Sequence, residues 1–118
     1  MLTVDDDQFV RALLVATLSL RNYRLVEASN GDEALEVARR ERPSVVLLDV
    51  LMPGPDGFEV CRRIKEDPEL KGTAVVLVTS RADEVSQSRA RQSGADDYVV
   101  KPFSPFKLLE VVDGLIAR

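Results

Sequence analysis

Asp5, Asp6, Asp7, Asp49, Thr79 and Lys101 are the residues of this chain whose types and spacing could do chemistry together. Three acids in succession repel one another. One of them is expected to cap a helix, because acids favour helix N-termini, but capping needs no more than one. A hard divalent cation relieves the rest. Mg²⁺ binds through one or two carboxylates, keeps several waters and often shares phosphate oxygens. Asp5, Asp6 and Asp49 carry a formal charge of about −3, which Mg²⁺ and Lys101 bring near zero before any phosphate arrives. Phosphoryl transfer asks a protein mainly for positioning and charge stabilisation. An aspartate nucleophile yielding an acyl phosphate is an established covalent route.

The elements that must position these residues are legible as alternating segments. Short aliphatic runs at 2–4, 24–28, 45–49, 74–79 and 98–100 read as strands. The middle and later runs are almost continuously apolar, as strands buried on both faces of a parallel sheet are. Amphipathic segments fall between them, at 8–20, 31–41, 56–66, 83–93 and after Ser104. The first is expected to bury Phe9, Val10, Leu13, Leu14 and Leu18. The second turns Ala34, Leu35 and Ala38 inward, and the third Phe58, Cys61 and Ile64. Ser104 is a good N-cap with Pro105 at the first helical position. Repeated β–α pairs imply an α/β sandwich with right-handed crossovers. In such sheets ligands bind beyond the carboxyl ends of the strands. Asp5–Asp7, Asp49, Thr79 and Lys101 all follow or close a strand, so they are expected at that one end.

Composition narrows the function. At 118 residues, 45% hydrophobic and 31% charged, the chain reads as one soluble domain. No apolar run reaches the ~18–20 residues that span a bilayer, and no signal peptide is read at the start, so a cytoplasmic location is the expectation. The net charge of −4 does not favour nucleic acid or an anionic membrane. There is no histidine, which excludes histidine-based acid–base or nucleophilic catalysis. Any phosphohistidine in the chemistry must belong to a partner. The single cysteine, Cys61, is read as core packing.

The runs Val4-Asp5-Asp6-Asp7, Leu48-Asp49-Val50-Leu51-Met52-Pro53 with Asp56-Gly57, Val78-Thr79-Ser80, and Tyr98-Val99-Val100-Lys101-Pro102-Phe103 resemble the signature set of response-regulator receiver domains, over essentially the whole chain. The resemblance implies a flavodoxin-like (βα)5 three-layer sandwich with a five-stranded parallel sheet in strand order 2-1-3-4-5. It implies a single receiver domain over 1–118, with no output domain in the chain and a longer parent protein as one option. It casts Asp49 as phosphoacceptor from a sensor histidine kinase or phosphotransfer protein, assisted by Thr79 and Lys101. Asp6, Asp49 and the Leu51 backbone carbonyl would hold Mg²⁺ (or Mn²⁺), and Asp5 would act through metal-bound water. Asp7 matches no required acid and is left a capping or solvent role. Thr79 and Tyr98 would be paired switch residues, and the Lys101–Pro102 bond would be cis. Gly57 is expected either to lend backbone freedom or to be an ordinary turn glycine.

Two helices point outward. The fourth has thin apolar content and is expected among the most mobile. The fifth carries Phe106, Leu108, Leu109, Val111, Val112, Leu115 and Ile116 around more than half its circumference. One sheet-facing stripe needs less. The excess suggests that helix four, strand five and helix five meet a partner or a second copy in a homodimer.

Three rival readings compete with this one. A dehalogenase-type phosphotransferase needs a second Asp two residues after the nucleophile, where Leu51 stands. A flavodoxin-like cofactor binder wants a small-residue phosphate loop after the first strand, where three acids stand. A receiver-like interaction module working without phosphorylation stays open. Leu51 and Arg81, two residues beyond Asp49 and Thr79, are expected to tune water access to an acyl phosphate.

Overall fold

The computed structural model describes residues 1–81 and 83–117. The elements are β1 (Leu2–Val4), α1 (Gln8–Leu18), β2 (Val26–Ala28), α2 (Gly31–Glu41), β3 (Val45–Asp49), α3 (Gly57–Glu66), a 3-10 turn (Pro68–Leu70), β4 (Ala74–Thr79), α4 (Glu84–Gln92), β5 (Asp97–Val100) and α5 (Pro105–Ala117). The five strands form one parallel sheet in the order β2-β1-β3-β4-β5. The central strands are β1, β3 and β4, and every residue of β3 and β4 is buried. That is why their sequences are continuous aliphatic runs instead of alternating ones.

Alternate side chains of the sheet feed two cores. Val4, Val46, Leu48, Val75 and Leu77 meet α2 and α3 through Ala34, Leu35, Ala38, Val60, Cys61 and Ile64. On the other face Val45, Leu47, Val76 and Val78 meet α1 and α5 through Leu14, Leu18, Leu108, Leu109 and Val112. The period-2 alternation of strands therefore sorts one apolar run into both layers. Cys61 is fully buried, and burial pushes its thiol above the usual value, as a core cysteine requires.

Several ends and faces differ from the sequence reading. α1 stops at Leu18, and β2 begins at Val26, since Arg24 and Leu25 make no ladder pair. Asp56 and Asp83 lie just outside α3 and α4 as their N-caps. Phe9 and Leu13 do not face the core: they are 87% and 49% exposed. The buried stripe of α1 is Leu14, Thr17 and Leu18, with Val10 at its edge. Residues 9 and 13 are also one helical turn apart, so both stripes satisfy the same periodicity. Pro105 opens α5, and the Ser104 carbonyl accepts the first helical bond from Leu108 at 3.0 Å.

Candidate active site

Parallel pairing brings the C-terminal ends of β1 and β3 side by side, with Val4 opposite Leu48 and Asp49 opposite Val78. Asp5 continues β1, its N–H donating to the Ala28 carbonyl at 3.2 Å. Carboxylate oxygens of Asp5, Asp6 and Asp49 all lie within 4.8 Å of one another. Asp5 is 1% exposed and Asp49 7%, whereas Asp6 is exposed to solvent. Asp7 caps α1, its Oδ1 accepting from the Phe9 N–H at 2.9 Å and the Val10 N–H at 3.4 Å. The four acids of the sequence thus separate into three that converge and one that caps.

Lys101 follows β5 and crosses to this cluster. Its Nζ donates to Asp5 Oδ2 at 3.0 Å and to Asp49 Oδ1 at 3.3 Å. The Lys101 N–H donates to the Thr79 carbonyl at 2.7 Å, so β4 fixes the base of the side chain. The Lys101–Pro102 peptide is cis. Burial works against the ammonium, yet the bonds and charges of Asp5 and Asp49 hold its pKa above the usual lysine value. Burial is also the main influence on Asp49, and the neighbouring Asp5 carboxylate adds to it. Lys101 pulls the other way without cancelling them, and the Asp49 carboxyl stays above the ordinary range. One ammonium therefore does not neutralise this cluster.

That imbalance is the test of whether a divalent cation fits. The donors are all oxygen and close together, and they carry two more negative formal charges than Lys101 offsets, which suits a hard divalent ion.

Thr79 is buried at the end of β4, and its Oγ1 accepts from the Arg81 N–H at 3.2 Å. Tyr98 is half-buried, packs against the core on the α2–α3 side, and donates its hydroxyl to the Arg81 carbonyl. Burial, then the Asp83 charge, raise the Tyr98 pKa. Leu51 and Arg81 flank the site with 62% and 66% exposure, the latter for its side chain.

The loop between Asp49 and α3 is held by contacts the sequence did not reveal. Gly57 has no positive φ, so freedom of the backbone is not its reason. A Cβ there would sit 2.4 Å from the Asp49 carbonyl oxygen and 2.7 Å from Val50 Cα. Gly31, at the start of α2, is equally confined: its Cβ would meet the Pro55 carbonyl oxygen at 2.5 Å. Both glycines let a helix start press onto the segment beside the site. The Gly-Asp and Asp-Gly neighbourhoods were visible in sequence, but the partner across space was not. Only Gly54 in this loop takes the left-handed region, at φ +76°.

Comparison with known proteins agrees with this geometry. The family described as response regulator receiver domain matches residues 1–113. The transcriptional regulatory protein ResD of Bacillus subtilis strain 168 is 41% identical over all 118 residues, which make up 48% of ResD. This chain spans about half the length of the curated relatives it matches. Among solved structures, the chemotaxis response regulator CheY4 of Vibrio cholerae superposes with a TM-score of 0.90 at 31% identity, over 97% of this chain and 95% of that one. The receiver domain of sensor histidine kinase PA1611 from Pseudomonas aeruginosa PAO1, described with a magnesium ion coordinated in its active-site cleft, gives 0.91 at 26% identity, over 99% of this chain and 96% of that one. With the family match running over residues 1–113 and a parallel sheet in the order β2-β1-β3-β4-β5, the chain belongs to the response regulator receiver domain family.

Proposed function

We propose that this chain is a phosphorylation switch in which Asp49 accepts a phosphoryl group from the phosphohistidine of a sensor histidine kinase or phosphotransfer protein. The observation that carries the reading is the trio of Asp5, Asp6 and Asp49 carboxylates within 4.8 Å, bridged by Lys101. A carboxylate oxygen of Asp49 attacks phosphorus, and the P–N bond of the donor breaks. The imidazole leaves and takes up a proton, and an acyl phosphate remains. Asp6 and Asp49, with the Leu51 backbone carbonyl, would hold Mg²⁺ (or Mn²⁺). Asp5, whose Oδ1 accepts from the Asp7 N–H and whose Oδ2 accepts from Lys101, would act through metal-bound water. The cation supplies positive charge to the phosphoryl oxygens.

The chain's own groups do the rest. Lys101 contacts a phosphoryl oxygen and offsets its charge. The Thr79 hydroxyl turns from the Arg81 N–H toward another oxygen, and Tyr98 follows it. New contacts made in one state bias a two-state equilibrium toward it. The surface of α4, β5 and α5 then reports the state to a partner or a second copy; Phe106 at its edge is 79% exposed. Water attack on the acyl phosphate releases phosphate and restores Asp49, so the protein is a switch that assists its own resetting. No described helix is long and apolar enough to cross a membrane, and we place the domain in the cytoplasm, as one receiver domain of a longer regulator, with no direct nucleic-acid contact of its own.

The test is incubation with Mg²⁺ and a small acyl phosphate, followed by intact mass. Wild type should gain one phosphate, and Asp49→Asn none. An unmodified wild type would favour the reading as an interaction module independent of phosphorylation.

A further inference from the structure

Each polar group of Asp5 is engaged. Its N–H donates to Ala28, its Oδ1 accepts from the Asp7 N–H at 2.9 Å, and its Oδ2 accepts from Lys101. Its carbonyl accepts from the Arg11 guanidinium, Nη1 standing 2.6 Å away. Arg11 lies in the first turn of α1, and its side chain is only 20% exposed. Its Nε is 3.5 Å from Glu27 Oε1 on β2. One planar guanidinium therefore ties the tip of β1 to the neighbouring strand, a bridge that a point-like ammonium cannot copy. The Asp5 carbonyl and the Asp6 amide share one rigid peptide plane. Fixing that carbonyl fixes the direction in which the chain leaves β1 toward Asp6, whose exposed carboxylate completes the acidic trio.

We propose that Arg11 is a positioning residue of the divalent-cation site: its fork clamps the Asp5 carbonyl against Glu27 and so sets the backbone that presents Asp6. The inference rests on the cation reading above. Charge alone predicts the opposite sign. A cation beside an acidic site repels a second cation, so removing Arg11 would tighten Mg²⁺ if only its charge mattered. Loss of a positioning contact loosens it.

The experiment is a titration of the full chain with Mg²⁺ alone, followed by backbone amide NMR, on wild type, Arg11→Met and Arg11→Lys. Arg11→Met should weaken Mg²⁺ by about tenfold, the lower end for groups that orient metal ligands. In the metal-free protein it should also speed hydrogen exchange at the Asp7 amide. Arg11→Lys keeps the charge without the fork and should stay weaker than wild type by about threefold or more. Unchanged or tighter Mg²⁺ in Arg11→Met, or full wild-type affinity in Arg11→Lys, overturns the proposal. If Arg11→Met does not fold, Arg11→Lys decides alone. A wild type that ignores Mg²⁺ sinks the cation reading itself, and a wild type that binds it beside an unaffected Arg11→Met sinks only this inference.

Discussion

Lys101 Nζ stands closer to Asp5 Oδ2 than to Asp49 Oδ1, 3.0 against 3.3 Å, across a sequence separation of 96 residues. The ammonium thus sits nearer an acid other than the proposed phosphoacceptor. It can swing to a phosphoryl group on Asp49 without losing its anchor. Lys101→Met should slow formation of the phosphate adduct roughly 100-fold, the scale for removing one preorganised charge contact. The same variant should bind Mg²⁺ more tightly, because a competing cation is gone. An adduct rate equal to wild type in a mass time course would refute the role of Lys101.

Asp49 makes a pH prediction with a definite sign. Its folded carboxyl lies above the ordinary value of 3.8, with burial as the first cause and Asp5 as the second. A group raised in the folded state contributes stability that is complete below its unfolded pKa and lost as pH rises through its folded one. Ionised Asp49 therefore weakens the fold at neutral pH. Asp49→Asn, measured in chelator, should melt a few degrees higher than wild type at pH 7, and the gain should shrink toward about pH 4. Mg²⁺ should stabilise wild type and narrow the gap, because it binds the folded state. A variant less stable than wild type at pH 7 in chelator would contradict this.

Gly57 separates crowding from flexibility. Its would-be Cβ meets backbone atoms of Asp49 and Val50, which cannot rotate away as a side chain does. Gly57→Ala should cost about 1–3 kcal/mol in urea unfolding, the range for overpacking. It should also weaken Mg²⁺, since the atom pushed aside belongs to Asp49 itself. Unchanged stability would mean that α3 shifts freely, and the account of this loop would fail.

α4 buries only Ser86 and Ala90, whereas α1 buries Leu14, Thr17 and Leu18. Its tie to α3, Arg89 over the Phe58 ring at 4.3 Å and near Asp56 at 3.7 Å, is made by an exposed side chain and adds little. The opening free energy of α4 from amide exchange should be lower than that of α1 by roughly 2 kcal/mol, about one large apolar side chain's burial. Equal protection would disprove it.

What the sequence showed and hid follows from how each feature is encoded. β3 and β4 could be read in full because burial on both faces writes itself as an unbroken aliphatic run. The meeting of Asp5, Asp6, Asp49 and Lys101 was readable because parallel strands carry their ends to one edge. Phe9 and Leu13 misled because a helix with two apolar stripes has two self-consistent orientations, and the sheet chooses between them. Arg24 and Leu25 stand outside β2 because the ladder with β1 pairs only Val26, Glu27 and Ala28. Gly31 and Arg11 stayed silent, and Gly57 was noticed for the wrong reason, because what confines or engages them is backbone atoms elsewhere in the chain, which leave no pattern of spacing.

One residue's main chain joins Thr79 to Tyr98. The Arg81 N–H rests on the Thr79 hydroxyl and the Arg81 carbonyl receives the Tyr98 hydroxyl, while the Arg81 side chain stands in solvent. Main-chain linkage and side-chain exposure thereby belong to different atoms of the same residue. The side chain can therefore change without touching the two main-chain contacts that connect the hydroxyls in this arrangement. Proline is the substitution that the linkage forbids, because it has no N–H to give.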